Sequence, residues 1–145
     1  MGPQIIEILM VEDSPTDADL TREAFRESKL LINLSLVTDG QEAMAFLHRQ
    51  HKYTNAPRPD LILLDLNLPK MNGHEVLNEI KNDSHLRTIP VVVLTTSQDE
   101  NDIVDAYSHY ANSYVTKPVD FDQFLNVVAT IEDFWLTIVK LPNTA

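Results

Sequence analysis

The sequence predicts an α/β protein in which a doubly wound, five-stranded parallel sheet carries helices on both faces. Apolar segments of strand length alternate with helical patterns five times along the 145 residues. Residues 61–64 and 91–94 are continuously apolar, which is typical of parallel strands that are buried on both faces. Because crossovers between parallel strands are right-handed, the intervening helices are expected to cover the sheet on both sides.

The first strand and helix are predicted at the N-terminus. Residues 5–11, IIEILMV, are apolar and rich in β-branched side chains, as in a strand. Ser14 is a favourable N-cap, Pro15 suits the first helical position, and Asp17 places a negative charge near the helix N-terminus. The residues of this helix that are expected to face the sheet are Leu20, Ala24 and Phe25.

The second strand is predicted at residues 34–38, and Asp39 is expected to cap a helix over residues 40–50. The inward side chains of that helix are predicted to be Ala43, Phe46 and Leu47. Residues 51–60 contain two prolines and many polar residues, so they are predicted to form a loop.

Three further strand and helix pairs complete the predicted sheet. The remaining strands are expected at residues 61–66, 89–97 and 113–118. The remaining helices are expected at residues 74–82, 99–110 and 120–141, the second being the weakest of the three and the last the longest.

Composition and charge exclude several classes of protein. With 43% hydrophobic and 23% charged residues, the chain is expected to fold as one domain over residues 1–145. It has no cysteine, no basic leader pattern and no apolar run near the roughly 18 residues of a membrane span, so a cytoplasmic location is predicted. A net charge of −11 disfavours binding to nucleic acid or to an anionic membrane.

Chemically active side chains follow the predicted strands. In open parallel sheets, ligands bind beyond the carboxyl ends of the strands. The residues expected at that edge are Glu12, Asp13, Asp65, Thr95, Thr96 and Lys117. Each alone is an ordinary turn, cap or strand residue, but three carboxylates in one crevice repel one another unless a cation lies among them. Hard oxygen ligands favour Mg²⁺, completed by water and a phosphate oxygen.

The motifs VEDS, LLDLNLPKMNG, VLTTS and YVTKP together resemble the receiver domain of two-component response regulators. Asp65 and Thr95 are 30 residues apart and Thr95 and Lys117 are 22 apart, which agrees with that family. The resemblance implies a flavodoxin-like receiver fold with strand order 2-1-3-4-5. It also implies a phosphorelay protein that is not an enzyme.

The resemblance also implies a role for each residue of the site. Asp65 would be the phosphoacceptor that forms an aspartyl phosphate, with a histidine kinase as the donor. The ligands of Mg²⁺ would be Glu12, Asp13, Asp65 and the backbone carbonyl of Asn67. The residues that bind the phosphoryl group or respond to it would be Thr95, Thr96, Lys117 and Tyr114, with Pro118 after a cis peptide bond.

Two features depart from the minimal family pattern: a long segment before the third strand and an extended final helix. The helix is apolar on more than one side, so it either covers its own core or forms a homodimer interface. The candidate interface residues are Phe121, Phe134, Trp135 and Ile138. These extras resemble the stand-alone receivers that are partners of cyanobacterial phytochrome histidine kinases. The resemblance implies output by protein contact, or phosphate relay to a histidine phosphotransfer protein, with no DNA-binding domain.

Carboxylates at strand ends also occur in three other kinds of protein. A haloacid-dehalogenase-type phosphatase would need a second aspartate two residues after the nucleophile, where this chain has Asn67. A flavodoxin-like cofactor carrier would need a phosphate-binding loop after the first strand, where the chain has the acidic segment EDSPTD. A pseudo-receiver that acts only as a binding module should lack an acid, the threonine or the lysine, yet all are present. It is the remaining alternative.

Overall fold

The computed structural model describes residues 5–28, 30–66, 68–95 and 113–116, together with positions 122, 125, 126, 128, 129 and 133. Its strands are β1 (Ile5–Val11), β2 (Leu31–Val37), β3 (Leu61–Leu64), β4 (Val91–Thr95) and β5 (Ser113–Thr116). Its helices are α1 (Pro15–Arg26), α2 (Gly40–Leu47) and α3 (Gly73–Asn82), with a 3₁₀ turn at His51–Tyr53. All strand pairs are parallel, in the order β2-β1-β3-β4-β5, which confirms the predicted fold.

Polar side chains fix where the helices begin. The Ser14 hydroxyl accepts a hydrogen bond from the Asp17 amide at 3.3 Å. The Asp39 carboxylate accepts one from the Glu42 amide at 2.8 Å, so both predicted caps are confirmed. Helix α3 starts one residue earlier than predicted because Asn72 caps it, accepting from the Glu75 amide at 3.0 Å.

Strand β2 begins three residues before the predicted start. Its first residues pair in register with the first residues of β1, Leu31 with Ile5 and Asn33 with Glu7. The Asn33 side chain also donates to the Glu7 carboxylate at 2.8 Å. These contacts come from the neighbouring strand, so local sequence alone did not indicate them.

Helix α2 ends three residues before the predicted end. Arg49 adopts a positive φ of 55°. The Arg49 amide donates to the Phe46 carbonyl at 3.2 Å, and the Gln50 amide donates to the Ala45 carbonyl at 2.9 Å. This pair of bonds is the Schellman motif, which closes a helix and is usually built with glycine at the left-handed position.

The sheet is packed on both faces, as predicted. One core lies between the sheet and helices α2 and α3, and includes Leu9, Phe46, Ile62, Leu77 and Ile80. The other lies on the α1 side, and includes Ile8, Phe25, Leu63, Val92 and Val128.

Buried Val128 brings the C-terminal segment onto the α1 face of the sheet. The described positions of that segment are helical. The predicted helix at 99–110 and the other positions of the predicted helix at 120–141 lie outside the described residues. None of the helices in the described part is long and apolar enough to cross a membrane.

Candidate phosphoryl and metal site

Hydrogen bonds to neighbouring strands position the backbone of Glu12 and Asp65. The Asp65 amide donates to the Val11 carbonyl at 3.1 Å, and the Glu12 amide donates to the Val37 carbonyl at 2.9 Å. The first residue after β1 and the first after β3 therefore remain tied to a neighbouring strand. Because parallel strands end at the same edge, the side chains of these residues are brought together there.

The predicted acidic cluster is present. Carboxylate oxygens of Glu12, Asp13 and Asp65 lie within 4.8 Å of one another. Glu12 and Asp65 are only 1% and 5% exposed, whereas Asp13 is exposed to solvent. The Glu12 carboxylate accepts a hydrogen bond from the Ser14 amide at 3.0 Å, which orients it at the start of α1.

Electrostatic repulsion within this cluster favours a bound cation. Two ionised carboxylates at 4.8 Å repel by about 1 to 3.5 kcal/mol for effective dielectric constants of 80 to 20. Two of the three groups are buried, so water screens them poorly. A divalent cation relieves all three repulsions, and an all-oxygen ligand set suits a hard ion such as Mg²⁺.

The loop after Asp65 is held by two close backbone contacts that require glycine. A Cβ atom on Gly73 would lie 2.3 Å from the Asp65 carbonyl oxygen, and one on Gly40 would lie 1.9 Å from the Met71 carbonyl oxygen. The Gly73 amide also donates to the Leu66 carbonyl at 3.1 Å. The loop is therefore clamped between the N-termini of α2 and α3.

Lys70 and Asp39 add an ion pair beside this loop, with 3.6 Å between the Lys70 Nζ and a carboxylate oxygen of the nearly buried Asp39. Lys70 adopts a positive φ of 66°. In the sequence Asp39 is recognisable only as a helix cap, and Lys70 carries no signal of a role. Their 31-residue separation in sequence gave no signal of the contact.

Tyr53 attaches the long segment before β3 to α2. Its hydroxyl donates to the Glu42 carboxylate at 2.5 Å, and its ring packs against Phe46 with 5.3 Å between centroids. Burial, and then the bond to Glu42, raise the pKa of Tyr53 to about 12. The segment predicted as a plain loop is thus anchored through the 3₁₀ turn.

The other predicted site residues are described less fully. Thr95 ends β4 and pairs with Thr116, and Tyr114 lies in β5 opposite Val93; for these residues the structure describes the backbone. The predicted residues that lie outside the described part are Asn67, Thr96, Lys117, Pro118, Phe121, Phe134, Trp135 and Ile138.

The family model and the relatives to which this chain is similar agree with one another. The family model of the response regulator receiver domain matches residues 8–129. Response regulator Rcp1 of Synechocystis sp. is 50% identical over 135 residues, which is 93% of this chain and 92% of the relative.

Two solved structures are also similar. The phosphorylated cyanobacterial phytochrome response regulator RcpA has a TM-score of 0.87 at 48% identity, covering 92% of this chain and 96% of that one. The Mn²⁺-bound form of Rcp1 has a TM-score of 0.84 at 48% identity, with the same coverage. The metal-bound relative and the acidic cluster together confirm the prediction of a divalent-cation site.

Proposed function

Because this chain belongs to the response regulator receiver domain family, we propose that it is the phosphoacceptor of a two-component phosphorelay. In this proposal Asp65 receives a phosphoryl group from a partner histidine kinase, and the modification switches a protein-interaction surface. The observation that carries the proposal is the meeting of Glu12, Asp13 and Asp65 within 4.8 Å at the carboxyl edge of the sheet.

The chemistry is a phosphoryl transfer to a carboxylate. An Asp65 oxygen forms the new bond to phosphorus while the bond from phosphorus to the kinase histidine nitrogen breaks. Glu12, Asp13 and Asp65 would hold Mg²⁺, with the Asn67 carbonyl as a further ligand by family resemblance. The bound ion supplies neutralisation of the charge on the transferring group. Strand β3 and the clamped loop keep the Asp65 carboxylate aimed at that position.

The switch is proposed by family resemblance. Lys117 would pair with the phosphoryl oxygens, Thr95 would donate a hydrogen bond to them, and Thr96 would lie beside it. The movement of Thr95 would make room for Tyr114 to turn inward, with Pro118 in a cis peptide bond orienting the lysine. Phosphorylation adds about two negative charges, which would attract Lys117 and accept the hydrogen bond from Thr95.

The proposed partner is a phytochrome-type histidine kinase, because relatives of similar length and about 50% identity include a cyanobacterial phytochrome response regulator. Relay to a histidine phosphotransfer protein and a homodimer built on Phe121, Phe134, Trp135 and Ile138 belong to the same proposal. It places the protein in the cytoplasm and assigns it no enzymatic activity on another molecule.

Incubation with acetyl phosphate and Mg²⁺, followed by intact mass measurement, tests the phosphoacceptor. The wild type is expected to gain about 80 Da, the mass of one phosphoryl group, only when Mg²⁺ is present. Asp65→Asn should show no gain. Asp60→Asn, which removes an exposed carboxylate at the opposite end of β3, should gain the full mass.

An equal gain in Asp65→Asn would contradict the assignment of the acceptor. A folded protein that binds Mg²⁺ but gains no mass from acetyl phosphate or from any kinase would favour the pseudo-receiver. The partner is tested separately, by comparing transfer from a phytochrome-type histidine kinase with transfer from an unrelated histidine kinase. Equal rates from both would remove the proposed phytochrome partnership while leaving the acceptor intact.

A further inference from the structure

Strand β2 lies at the edge of the sheet, and within the described part of the chain its outward backbone groups have no partner. The Val37 carbonyl accepts from the Glu12 amide, so the backbone groups of Val37 face β1. Successive residues of a strand alternate in direction, so those of Leu31, Asn33 and Ser35 also face β1. The N–H and C=O groups that point away from the sheet are those of Ile32, Leu34 and Leu36. No described residue forms a hydrogen bond with them.

The edge also lacks the usual protection against pairing. Natural edge strands are blunted by charged residues, proline, bulges or short length. The seven residues of β2, LINLSLV, include no charge and no proline. Their register with β1 runs without a bulge from Leu31 to Val37, so the free edge is roughly 23 Å long. Its first residue, Leu31, is 49% exposed beside the 52% exposed Ile5.

A groove runs beside this edge, between β2 and the end of α1. It has a volume of about 450 Å³, and its apolar lining includes Phe25, Ile32 and Leu34. Arg22 and Arg26 also line it, so it combines an apolar floor with two positive charges, of which Arg26 is ion-paired with Glu23 at the groove's exposed rim. An added strand would place every second side chain over this groove and extend the apolar face of the sheet.

We propose that β2 binds an extended segment of a partner protein as a sixth strand. The segment would alternate apolar with polar residues and carry an acidic residue that meets Arg22 or Arg26. A second copy of this chain fits less well, because its β2, LINLSLV, offers no acidic residue to meet Arg22 or Arg26. Each copy also carries a net charge of −11, which opposes their association.

Amide hydrogen exchange measured by NMR tests the proposal. In the free protein, the amides of Ile32, Leu34 and Leu36 should exchange fast, while those of Asn33 and Ser35 should be protected. The probe is a capped peptide in which valine alternates with threonine and glutamate. At saturation it should slow exchange at the three outward amides about tenfold or more. Fast exchange that the peptide does not change, or outward amides already protected in the free chain, would overturn the proposal.

Two peptide variants distinguish strand pairing from nonspecific hydrophobic binding. N-methylation of the alternate residues that face β2 should abolish binding, because it removes the donors of the new ladder. N-methylation of the other alternate residues should leave binding intact. Equal affinity of the two methylated peptides would refute an added strand, and neither peptide alters the folding of the protein.

Variants of the protein test the edge and the charges. Leu34→Pro removes an outward N–H without removing a bond to β1, and should abolish binding in a protein that remains folded. Arg22→Glu and Arg26→Glu should each weaken binding of the acidic peptide about two- to fivefold. Lys52→Glu, which reverses a charge outside the groove, should leave this binding unchanged. Unchanged binding by Leu34→Pro, or equal loss in Lys52→Glu, would overturn the assignment. Asp65→Asn should bind normally, so failure here is distinct from failure of the phosphoacceptor.

Discussion

Replacement of Gly73 by alanine should slow phosphorylation of Asp65 in a protein that remains folded. The new Cβ would lie 2.3 Å from the Asp65 carbonyl oxygen and 2.5 Å from the Leu66 Cα, whereas ordinary contacts begin near 3.4 Å. The backbones at Asp65 and at position 73 must therefore move apart by about 1.1 Å, the difference between 3.4 and 2.3 Å, which displaces the acceptor carboxylate from its place. Misplacement of a reacting group by about 1 Å can cost about 100-fold in rate.

Two opposing terms set the effect of Gly73→Ala on stability. Overpacking costs about 1 to 3 kcal/mol, and alanine offsets up to about 1 kcal/mol through its higher helix propensity. The informative measurement is therefore the initial rate of acetyl phosphate-dependent mass gain at saturating Mg²⁺, with thermal unfolding followed in parallel. We expect Gly73→Ala to react about 10- to 100-fold more slowly while remaining folded.

Asn72→Ala is the matched control for Gly73→Ala. It removes the cap of α3, which costs about 1 kcal/mol of stability, but adds no atom near Asp65. Its phosphorylation rate should stay close to that of the wild type. A folded Gly73→Ala protein that reacts at the wild-type rate, or an Asn72→Ala protein that slows equally, would refute the steric argument.

Two further predictions concern the segment between α2 and β3. The pKa of Tyr53 is about 12 in the folded protein, above the usual value of about 10, so its contribution to stability is complete below pH 10 and lost between pH 10 and 12. Absorbance titration of tyrosinate should show this midpoint, and Glu42→Gln should lower it; an unchanged midpoint in that variant would exclude the bond to Glu42 as a cause. Arg49→Gly should raise the free energy of unfolding by about 0.5 to 1 kcal/mol in urea denaturation, because glycine tolerates the positive φ of 55°. His48→Gly, at the neighbouring negative φ, should destabilise the protein, and a loss of stability in Arg49→Gly would contradict the reasoning.

Much of the fold was predictable because its signals are local. Ser14 and Asp39 cap helices through bonds to amides three residues ahead, so their positions in the sequence were sufficient. The apolar runs of β3 and β4 indicated strands buried on both faces. The convergence of Glu12, Asp13 and Asp65 followed from the rule that parallel strands end at one edge.

The errors in the predicted boundaries have two causes, a contact between distant segments and an unusual backbone conformation. The early start of β2 depends on pairing of Leu31 with Ile5, and the early end of α2 depends on the backbone of Arg49 turning left-handed. A residue such as arginine at that position gives no helix-end signal, unlike the glycine that usually occupies it.

The sequence by itself determined the order of strands and helices, the chemistry of the acidic site and the family, because periodicity, caps and motif spacing are properties of the chain. Only the tertiary structure decided how tightly the site is built. The contact of Gly40 with Met71 and the pairing of Lys70 with Asp39 depend on distances between segments far apart in sequence. Such distances follow from how helices and strands pack around the shared core, which no local pattern specifies.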